Sequence, residues 1–449
     1  MSRRRTVTLL LLISAALSSC YHLPLWHGEV KVTPREREAL KKCGDGALTD
    51  DGTAALTRGP YLQSTTTTSV IVVWAARDGR GDVVLSEPGG AAVATVVGTA
   101  DGRSDVRKAV FTGLKPTHLY CYQLVANGKP LTALAPLNTA SAPGLPEDNP
   151  FRFVALGDTG TGGAAQKAIN ARMSAEPFEM MLFLGDLAYE EGTAAQLENN
   201  FFGIYRDVIR YVPAYPTIGN HERLTAKGAA YFAAFVLPEP ERYYSFDWGD
   251  VHFVAIDTTQ RDSEQLRWLA KDLAATKQPW KIVYGHHPMY SNSLRGAQQW
   301  IRRSFSKILT DANVDLVLTG HEHHYERFRV AGVNYVISGG GGGQLTRIYG
   351  SSRALRQATV HHFLAFEVTA TKLTMRAIDI NGNEIDHLVL DKKGPPAPSQ
   401  PLPVEKQIIP DEKVHDEPDN DRAEHPNGDI PEKPRGSPDA PTDAGPPAD

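Results

Sequence analysis

The chain has 449 residues, more than one compact core usually holds, so we expect two domains with additional segments. Hydrophobic residues make up 41% and charged residues 22%, which is typical of a globular protein. The formal net charge is −5, and residues 391–449 hold 14 acidic, 7 basic and 14 proline residues. This composition predicts a disordered, Pro-rich acidic tail. The rest of the chain shows no strongly basic balance, so nucleic-acid binding is not expected.

The N-terminus has the pattern of an export signal. Three arginines at positions 3–5 precede an apolar stretch, Val7–Leu17, that is too short to span a bilayer as a permanent helix. The residues from Leu17 to Cys20, Leu-Ser-Ser-Cys, resemble a bacterial lipobox. This resemblance implies a signal peptide over residues 1–19 and a lipid on Cys20, which would place the protein in the cell envelope, at the outer membrane or in the periplasm. An ordinary signal peptide cut nearby is the alternative, and residues 20–57 are predicted to form a tether.

Two further cysteines, Cys43 and Cys121, remain after Cys20 is set aside. In an oxidising compartment they could form a disulfide. Their separation in sequence neither supports nor forbids that pairing. Neither residue is predicted to be catalytic.

Residues 58–140 have an all-β pattern. Short apolar runs at Ser69–Trp74, Asp82–Leu85 and Val93–Val97 are separated by turn residues. Leu114 and Tyr120 are spaced like the tyrosine corner of immunoglobulin-like sandwiches. The segment resembles a fibronectin type III-like domain, and we expect it to act as a spacer or packing partner.

After a linker at residues 141–150, strands and helices alternate to about residue 340, which predicts a mostly parallel sheet covered on both faces. The expected helices are Ala164–Ala175, Ser263–Ala275 and Ala297–Thr310. Two antiparallel strands, at 362–368 and 372–380, would close a second sheet. Five glycines at 339–343 lack the lysine and helix of a P-loop, so we interpret them as a flexible turn near the site.

Five predicted strands end alike, each in a glycine followed by polar side chains. The strand Met180–Leu184 is followed by Gly185, Asp186 and Tyr189. The polar residues after the other four strands are Asp158, Asn220 with His221, His286, and His321 with His323. Strands of a parallel sheet share one carboxyl edge, so we expect these side chains to converge there.

The convergent side chains predict a metal site. Aspartate and histidine are costly to bury unless they are paired or bind metal. Mixed imidazole and carboxylate ligands suit iron, zinc or manganese. Seven candidate ligands are too many for one such ion, so we expect two ions about 3.5–4 Å apart, joined by a shared carboxylate.

The order of these motifs resembles that of the purple acid phosphatases, within the calcineurin-like metallophosphoesterases. The motifs are Asp158-Thr159-Gly160, Gly185-Asp186-Leu187-Ala188-Tyr189, Gly219-Asn220-His221-Glu222, Val283-Tyr284-Gly285-His286 and Gly320-His321-Glu322-His323. The resemblance covers about residues 58–390. It implies a four-layer αββα sandwich over residues 150–390, an α/β catalytic domain preceded by the all-β fibronectin III-like sandwich.

The resemblance also implies a role for each ligand. Fe(III) would be held by Asp158, Tyr189 and His323, with Asp186 bridging to a second divalent ion (Fe, Zn or Mn) held by Asn220, His286 and His321. The implied activity is that of an acid phosphatase, in which a metal-bound hydroxide attacks a phosphate monoester in line. His221 would protonate the leaving group, and Glu222 would orient His221.

Arg295 departs from the family pattern. Mammalian-type members carry a substrate-facing histidine at this position. Arginine can bind phosphate with two hydrogen bonds but cannot act as a general acid. We therefore predict either a phosphate clamp or an exposed loop residue at Arg295. His287 is interpreted as a residue behind the ligands or at the surface.

Two other functions remain open from the sequence. A phosphodiesterase or nucleotide hydrolase would use the same fold and ligands, because surrounding loops set the pocket. A non-catalytic surface lipoprotein would keep the scaffold, but such a protein is expected to lose ligands, and all seven are present. The expected partner is a small phosphate-ester substrate, and the oligomeric state is left open.

Overall fold

A computed structural model describes residues 41–43, 56–76, 79, 81–100 and 105–392. The predicted signal peptide, Cys20, most of the tether and nearly all of the acidic tail lie outside these residues, so those predictions are not addressed by the structure. Within the described part, no helix has the length and apolar character needed to cross a bilayer.

Residues 56–138 form two antiparallel sheets with a shared core. The strands are β1 (Leu56–Gln63), β2 (Val70–Ala76), β3 (Asp82–Ser86), β4 (Ala92–Val97), β5 (Thr99–Ala100), β6 (Val106–Phe111), β7 (Leu119–Ala126), β8 (Lys129–Pro130) and β9 (Ala135–Asn138). The orders are β1-β2-β6-β5 and β4-β3-β7-β8, with β9 also paired to β7. Trp74 and Tyr122 are fully buried between the sheets. The Tyr120 hydroxyl accepts a hydrogen bond of 3.1 Å from the backbone N–H of Lys115, as a tyrosine corner requires. The all-β pattern is confirmed, and the fibronectin type III assignment stays a prediction.

The two cysteines whose pairing the sequence left open form a disulfide, Cys43–Cys121. Cys43 belongs to the helical residues 41–43, and Cys121 lies on β7. The bond therefore fastens the segment before β1 to the middle of the sandwich.

The remaining strands form two further sheets. They are β10 (Phe151–Leu156), β11 (Met180–Phe183), β12 (Ala214–Pro216), β13 (Tyr244–Trp248), β14 (Val251–Ala255), β15 (Trp280–Tyr284), β16 (Leu316–Thr319), β17 (Tyr325–Val330), β18 (Val333–Ser338), β19 (Ala354–Ala358), β20 (His362–Val368), β21 (Lys372–Asp379) and β22 (Glu384–Asp391). One sheet has the order β12-β11-β10-β20-β21-β22, and the other has the order β13-β14-β15-β16-β18-β17-β19.

The expectation of a mostly parallel sheet is wrong, because both sheets are mixed, whereas the two sheets that the family resemblance implied are present. Three neighbouring strands are parallel in the first sheet and four in the second, and antiparallel strands flank both sets. A buried parallel strand is apolar on both faces whichever sheet it joins, so alternating strands and helices do not distinguish one sheet from two. The five strands that carry the candidate ligands are therefore divided between the sheets.

Helices cover the outer faces of the two sheets. They are α1 (Ala164–Met173), α2 (Ala194–Gln196), a π-helical turn (Leu197–Phe202), α3 (Gly203–Ile209), α4 (Asn220–Leu224), a 3-10 turn (Ala226–Gly228), α5 (Ala229–Ala234), α6 (Ser263–Ala275) and α7 (Gln299–Asp311). Between the sheets, the Phe153 ring stacks on Phe366 and meets the edge of Phe253. Helices α6 and α7 pack with the second sheet through residues such as Leu269 and Phe305. The layer order is thus helix, sheet, sheet, helix.

The sandwich is hydrogen-bonded to the segment that precedes the Asn220 motif. The Gln63 amide donates to the Ala214 carbonyl (2.8 Å), and the Tyr215 hydroxyl donates to the Thr65 carbonyl (2.6 Å). These buried groups pair with one another across the contact, as buried polar groups must. The sandwich therefore supports β12, whose end carries Asn220.

A buried histidine away from the site predicts how stability depends on pH. The ring nitrogens of His252 lie 2.7 Å from Asp247 and 2.8 Å from Asp272. Burial lowers the pKa of His252, but the two carboxylates outweigh this effect and raise the pKa to about 9. The raised pKa stabilises the fold fully below the unfolded value of about 6.5, and this contribution is lost as pH rises through about 9.

We expect the unfolding free energy of the wild-type protein to fall by about 3 kcal/mol between pH 6.5 and 9 because His252 loses its proton. The His252→Gln variant should not show this decrease. Urea denaturation at several pH values measures this difference. His387→Gln, which removes an exposed histidine, is the control. Parallel pH profiles for wild type and His252→Gln would contradict the assignment.

Candidate metal centre

The first group of predicted ligands converges where β10, the β11 loop and the β16 loop meet. The Tyr189 hydroxyl lies 3.2 Å from Asp158 Oδ1 and 3.0 Å from His323 Nε2. His323 Nε2 lies 3.3 Å from Asp158 Oδ1. The three side chains come from three strand ends and both sheets, so the sheets must stack with their carboxyl ends together to form this group.

The second group is as compact as the first. Asn220 Oδ1 lies 2.8 Å from His286 Nε2 and 3.1 Å from His321 Nδ1, and the two histidine nitrogens are 3.3 Å apart. Asp186 Oδ2 lies 3.3 Å from His286 Nε2. Donor atoms of Asp158, Asp186 and His286 all lie within 4.8 Å of one another, which places Asp186 between the two groups. The structure thus brings all seven predicted ligands together.

The protonation of the histidines shows what these groups can hold. His286 Nδ1 lies 2.8 Å from the Leu184 carbonyl, and His323 Nδ1 lies 2.7 Å from the Gln344 carbonyl. A carbonyl only accepts, so each Nδ1 donates its proton, and in a neutral ring Nε2 presents a lone pair to the site. The two Nε2 atoms face carboxylate, amide or phenol oxygens at 2.8–3.3 Å, and a bound cation would take the place of any proton on them.

The donor set therefore fits metal cations. One proton can bridge only one pair of facing acceptors, whereas a multivalent cation satisfies a whole group. Carboxylate and phenol oxygens with one imidazole make the first group the harder set of ligands, and an amide oxygen with two imidazoles makes the second more neutral.

The charges of the two groups shift the pKa values of their members. Burial lowers the pKa of His286, but the Asp186 carboxylate outweighs it and raises the pKa to about 10. For His321, burial and the neighbouring His287 and His286 hold the pKa well below its usual range. Burial disfavours charge on Asp186, yet His286 and His221 lower the pKa of this carboxyl overall. A positive charge is thus favoured beside the Asp186 carboxylate.

The backbone bends sharply at the residues that carry these side chains. Asp158, Asp186 and His321 have φ values of 59°, 55° and 68°, in the left-handed region that non-glycine residues rarely occupy. Such conformations cost on the order of 1–3 kcal/mol each and persist only where surrounding structure enforces them. Gly185 has φ of 84°, and a Cβ there would lie 2.5 Å from His286 Nδ1, so only glycine fits.

Glu222, which was predicted to orient His221, hydrogen-bonds to the backbone of a neighbouring turn. Its fully buried carboxylate accepts four backbone N–H groups, from Asp186 (2.9 Å), Leu187 (2.8 Å), Ala188 (3.1 Å) and Gly219 (2.8 Å). Sequence adjacency suggested a side-chain contact, but on helix α4 successive side chains do not face each other. Glu222 instead holds the left-handed turn that carries Asp186. Burial and the charge of Asp186 raise the pKa of Glu222 to about 7.

His221 is positioned by other groups. Its Nδ1 lies 2.5 Å from the Glu190 carbonyl, to which it donates, and its backbone N–H donates to Asp186 Oδ1. Its Nε2 lies 3.9 Å from Asp186 Oδ2. This nitrogen therefore faces the Asp186 carboxylate.

His287 and Arg295 lie at the edge of the site. His287 is buried, its ring centroid lies 4.4 Å from that of His321, and burial holds its pKa well below the usual range. Its interpretation as a residue behind the ligands fits this position. Arg295 Nε lies 3.8 Å from Glu322 Oε1, and the side chain is 28% exposed.

No role for Glu322 was predicted from the sequence, and the glycine run at 339–343 was predicted only as a flexible turn near the site. Glu322 is fully buried between two ligands of the last motif, and burial raises its pKa despite Arg295. The glycine run is near the site, as predicted, but it packs closely. A Cβ at Gly343 would lie 2.7 Å from the His323 ring, and the Gly343 N–H donates to the Asp158 carbonyl (2.8 Å). The run of five residues without side chains was the feature of the sequence that could have indicated close packing of the backbone against the site.

Residues 151–325 match the family model of the calcineurin-like phosphoesterases. This segment is a calcineurin-like metallophosphoesterase domain. Curated relatives include purple acid phosphatases 21 and 22 of Arabidopsis thaliana, both 29% identical to the chain. The matched regions cover 51% and 48% of this chain, and 56% and 52% of the two relatives. The chain thus spans about half the length of the curated relatives it matches.

Solved structures share the fold of the metallophosphoesterase domain and the preceding sheets. Purple acid phosphatase PPD1 from yellow lupin (Lupinus luteus) seeds superposes with a TM-score of 0.66 at 20% identity over 74% of both chains. The structure of PhoD superposes with a TM-score of 0.56 at 14% identity, covering 75% of this chain and 89% of that one.

We expect Glu222→Gln to disturb the metal centre, although Glu222 is not a ligand. The amide nitrogen of glutamine cannot accept the N–H groups that Glu222 Oε1 or Oε2 now accepts, which leaves buried donors unsatisfied at about 1–3 kcal/mol each. The thermal midpoint and the metal content per chain should both fall. Glu367→Gln, at a partly exposed surface ion pair, is the matched control and should change neither. Full metal occupancy in Glu222→Gln would contradict this role.

Proposed function

We propose that the protein is an acid phosphatase-type hydrolase that cleaves small phosphate monoesters with a dinuclear metal centre. The observation that carries the proposal is the pair of facing ligand groups with Asp186 between them. The metallophosphoesterase domain and the purple acid phosphatase relatives support the same reaction class.

In this proposal each ligand group holds one ion. Asp158, Tyr189 and His323 would bind Fe(III), because a carboxylate and a phenolate are hard anionic ligands. Asn220, His286 and His321 would bind a divalent iron, zinc or manganese ion, and Asp186 would bridge the two. The ions, when bound, would supply an activated water and neutralise charge on the phosphate oxygens.

Residues of the chain would complete the chemistry. His221 Nε2 faces the bridging carboxylate and would carry the proton that the leaving oxygen takes. Its Nδ1 donates a hydrogen bond to the Glu190 carbonyl, so rotating the ring to move Nε2 away from the site would break that hydrogen bond. Arg295, at the rim beside Glu322, would bind substrate phosphate.

We also propose that the protein is exported and anchored by a lipid on Cys20. The N-terminal sequence pattern supports this. The Cys43–Cys121 disulfide fits an oxidising compartment. The sandwich would then stand between the membrane tether and the hydrolase domain as a fibronectin type III-like support.

We expect the purified protein to contain two metal ions per chain, to absorb visible light through a tyrosinate–iron charge transfer, and to hydrolyse p-nitrophenyl phosphate faster than bis(p-nitrophenyl) phosphate. Tyr189→Phe should abolish the visible band, because no phenolate remains in the iron group. Metal analysis, absorption spectroscopy and both assays measure these properties.

Tyr349→Phe, which alters an exposed tyrosine, is the control and should keep the band. A preference for the diester would move the assignment to a phosphodiesterase on the same ligands. One metal or none per chain in active protein would overturn the dinuclear proposal.

A second expectation concerns His221. His221→Ala should lower kcat for an alkyl phosphate by about 10²–10⁴-fold, because its poor leaving group needs a proton. The loss should be much smaller for p-nitrophenyl phosphate, whose leaving group departs as an anion, and metal content should stay unchanged. Equal losses for both substrates would contradict the role as an acid.

A further inference from the structure

A buried carboxylate behind the site joins three separate segments. Glu326, on β17, is fully buried. Its oxygens accept the Asn292 backbone N–H (2.9 Å) and side-chain amide (2.9 Å), the Ser291 hydroxyl (3.1 Å) and the Gln357 amide (2.8 Å). His324 Nε2 lies 3.0 Å from the same carboxylate. Such charge-assisted hydrogen bonds are about twice as strong as neutral ones.

The segments held by Glu326 include the loop that carries Arg295. Gln357 lies on β19, directly opposite Glu326 in the β17–β19 pairing. Asn292 also accepts the Tyr349 N–H through its backbone carbonyl (2.9 Å) and the Ser352 hydroxyl through its side chain (3.1 Å). We call residues 291–296 the rim loop. Three of the Glu326 hydrogen bonds come from the first two residues of this loop.

The rim loop carries Arg295 to the metal ligands. Arg295 Nε lies 3.8 Å from Glu322, which stands between His321 and His323 in the chain. The Ser293 hydroxyl accepts the Gly296 N–H (3.0 Å), which closes the loop around this turn. The partners of the Glu326 carboxylate are residues of the rim loop, Gln357 and His324, so its hydrogen bonds act on the loop rather than on the predicted ligands.

We propose that Glu326 is a positioning residue that holds the rim loop so that Arg295 can bind the substrate phosphate. The inference rests on the proposed phosphatase function and deepens it. Arg295 supplies the contact with the phosphate oxygens. Glu326 fixes the position of the rim loop through hydrogen bonds, and the position of the loop determines where Arg295 meets the phosphate.

The test measures binding of inorganic phosphate to the metal-loaded protein by calorimetry, together with KM, kcat and metal content. We expect Glu326→Gln to weaken phosphate binding and raise KM by about tenfold, which corresponds to one lost charge-assisted interaction. Metal content should stay at the wild-type value, and kcat should change by less than about threefold. Glu367→Gln, at the surface ion pair with Arg152, is the matched control and should leave phosphate binding unchanged.

A double-mutant cycle with Arg295→Ala decides whether Glu326 acts through Arg295. We expect Arg295→Ala alone to weaken phosphate binding at least as much as Glu326→Gln. Adding Glu326→Gln to Arg295→Ala should then change binding by less than about twofold, because the group that Glu326 positions is gone. Additive losses would overturn the proposal, as would loss of metal in Glu326→Gln alone.

Asn292→Ala keeps the test decisive if Glu326→Gln does not fold. It removes one donor to Glu326 from the loop side and should weaken phosphate binding in the same direction by a smaller factor. Unchanged phosphate binding in Asn292→Ala with Glu326→Gln unfolded would overturn the proposal. Phosphate binding does not require turnover, so tight binding without ester hydrolysis would reject the phosphatase function and leave the role of Glu326 standing.

Discussion

The structure depends on a set of polar side chains that face one another at the candidate metal centre. Imidazole nitrogens, carboxylates, an amide oxygen and a phenol are buried at separations of 2.8–3.3 Å. Buried acceptors without a positive partner destabilise a fold by several kcal/mol. Two stacked sheets and a supporting sandwich therefore hold close together groups that would otherwise repel, at spacings that suit cations.

Backbone hydrogen bonds hold this arrangement in place as much as the contacts between the predicted ligands do. Three ligands occupy left-handed conformations at strand ends, and Glu222 accepts the N–H groups exposed by one of these turns. The Gly343 N–H holds the Asp158 carbonyl in the same way. Because each turn is fixed by a buried group from another segment, a change in one of those groups acts on the centre without touching a ligand.

The ligand set could be predicted from the sequence because each member follows a strand of the right length and a glycine. Asp158 and His286 could be placed at the site without knowing which sheet their strands join, because the carboxyl ends of the parallel strands of both sheets meet there. The strand pattern alone did not separate the two sheets, because β10 and β15 are equally apolar, and only the family resemblance implied a four-layer sandwich. The backbone N–H partners of Glu222 in the Asp186 turn could not be predicted, because no side-chain pattern reveals them.

Arg295 shows how the surroundings can change the chemistry while the ligands stay the same. A histidine at this position could exchange a proton with substrate, whereas arginine stays charged and can only bind. In the proposed phosphatase, proton transfer would then be left to His221, whose Nδ1 donates to the Glu190 carbonyl. Glu322 is buried beside Arg295 and would lower the net positive charge that a phosphate group meets there. The position of the rim loop would therefore decide how far the guanidinium is shared between Glu322 and substrate, and the hydrogen bonds from Asn292 to Glu326 hold that loop.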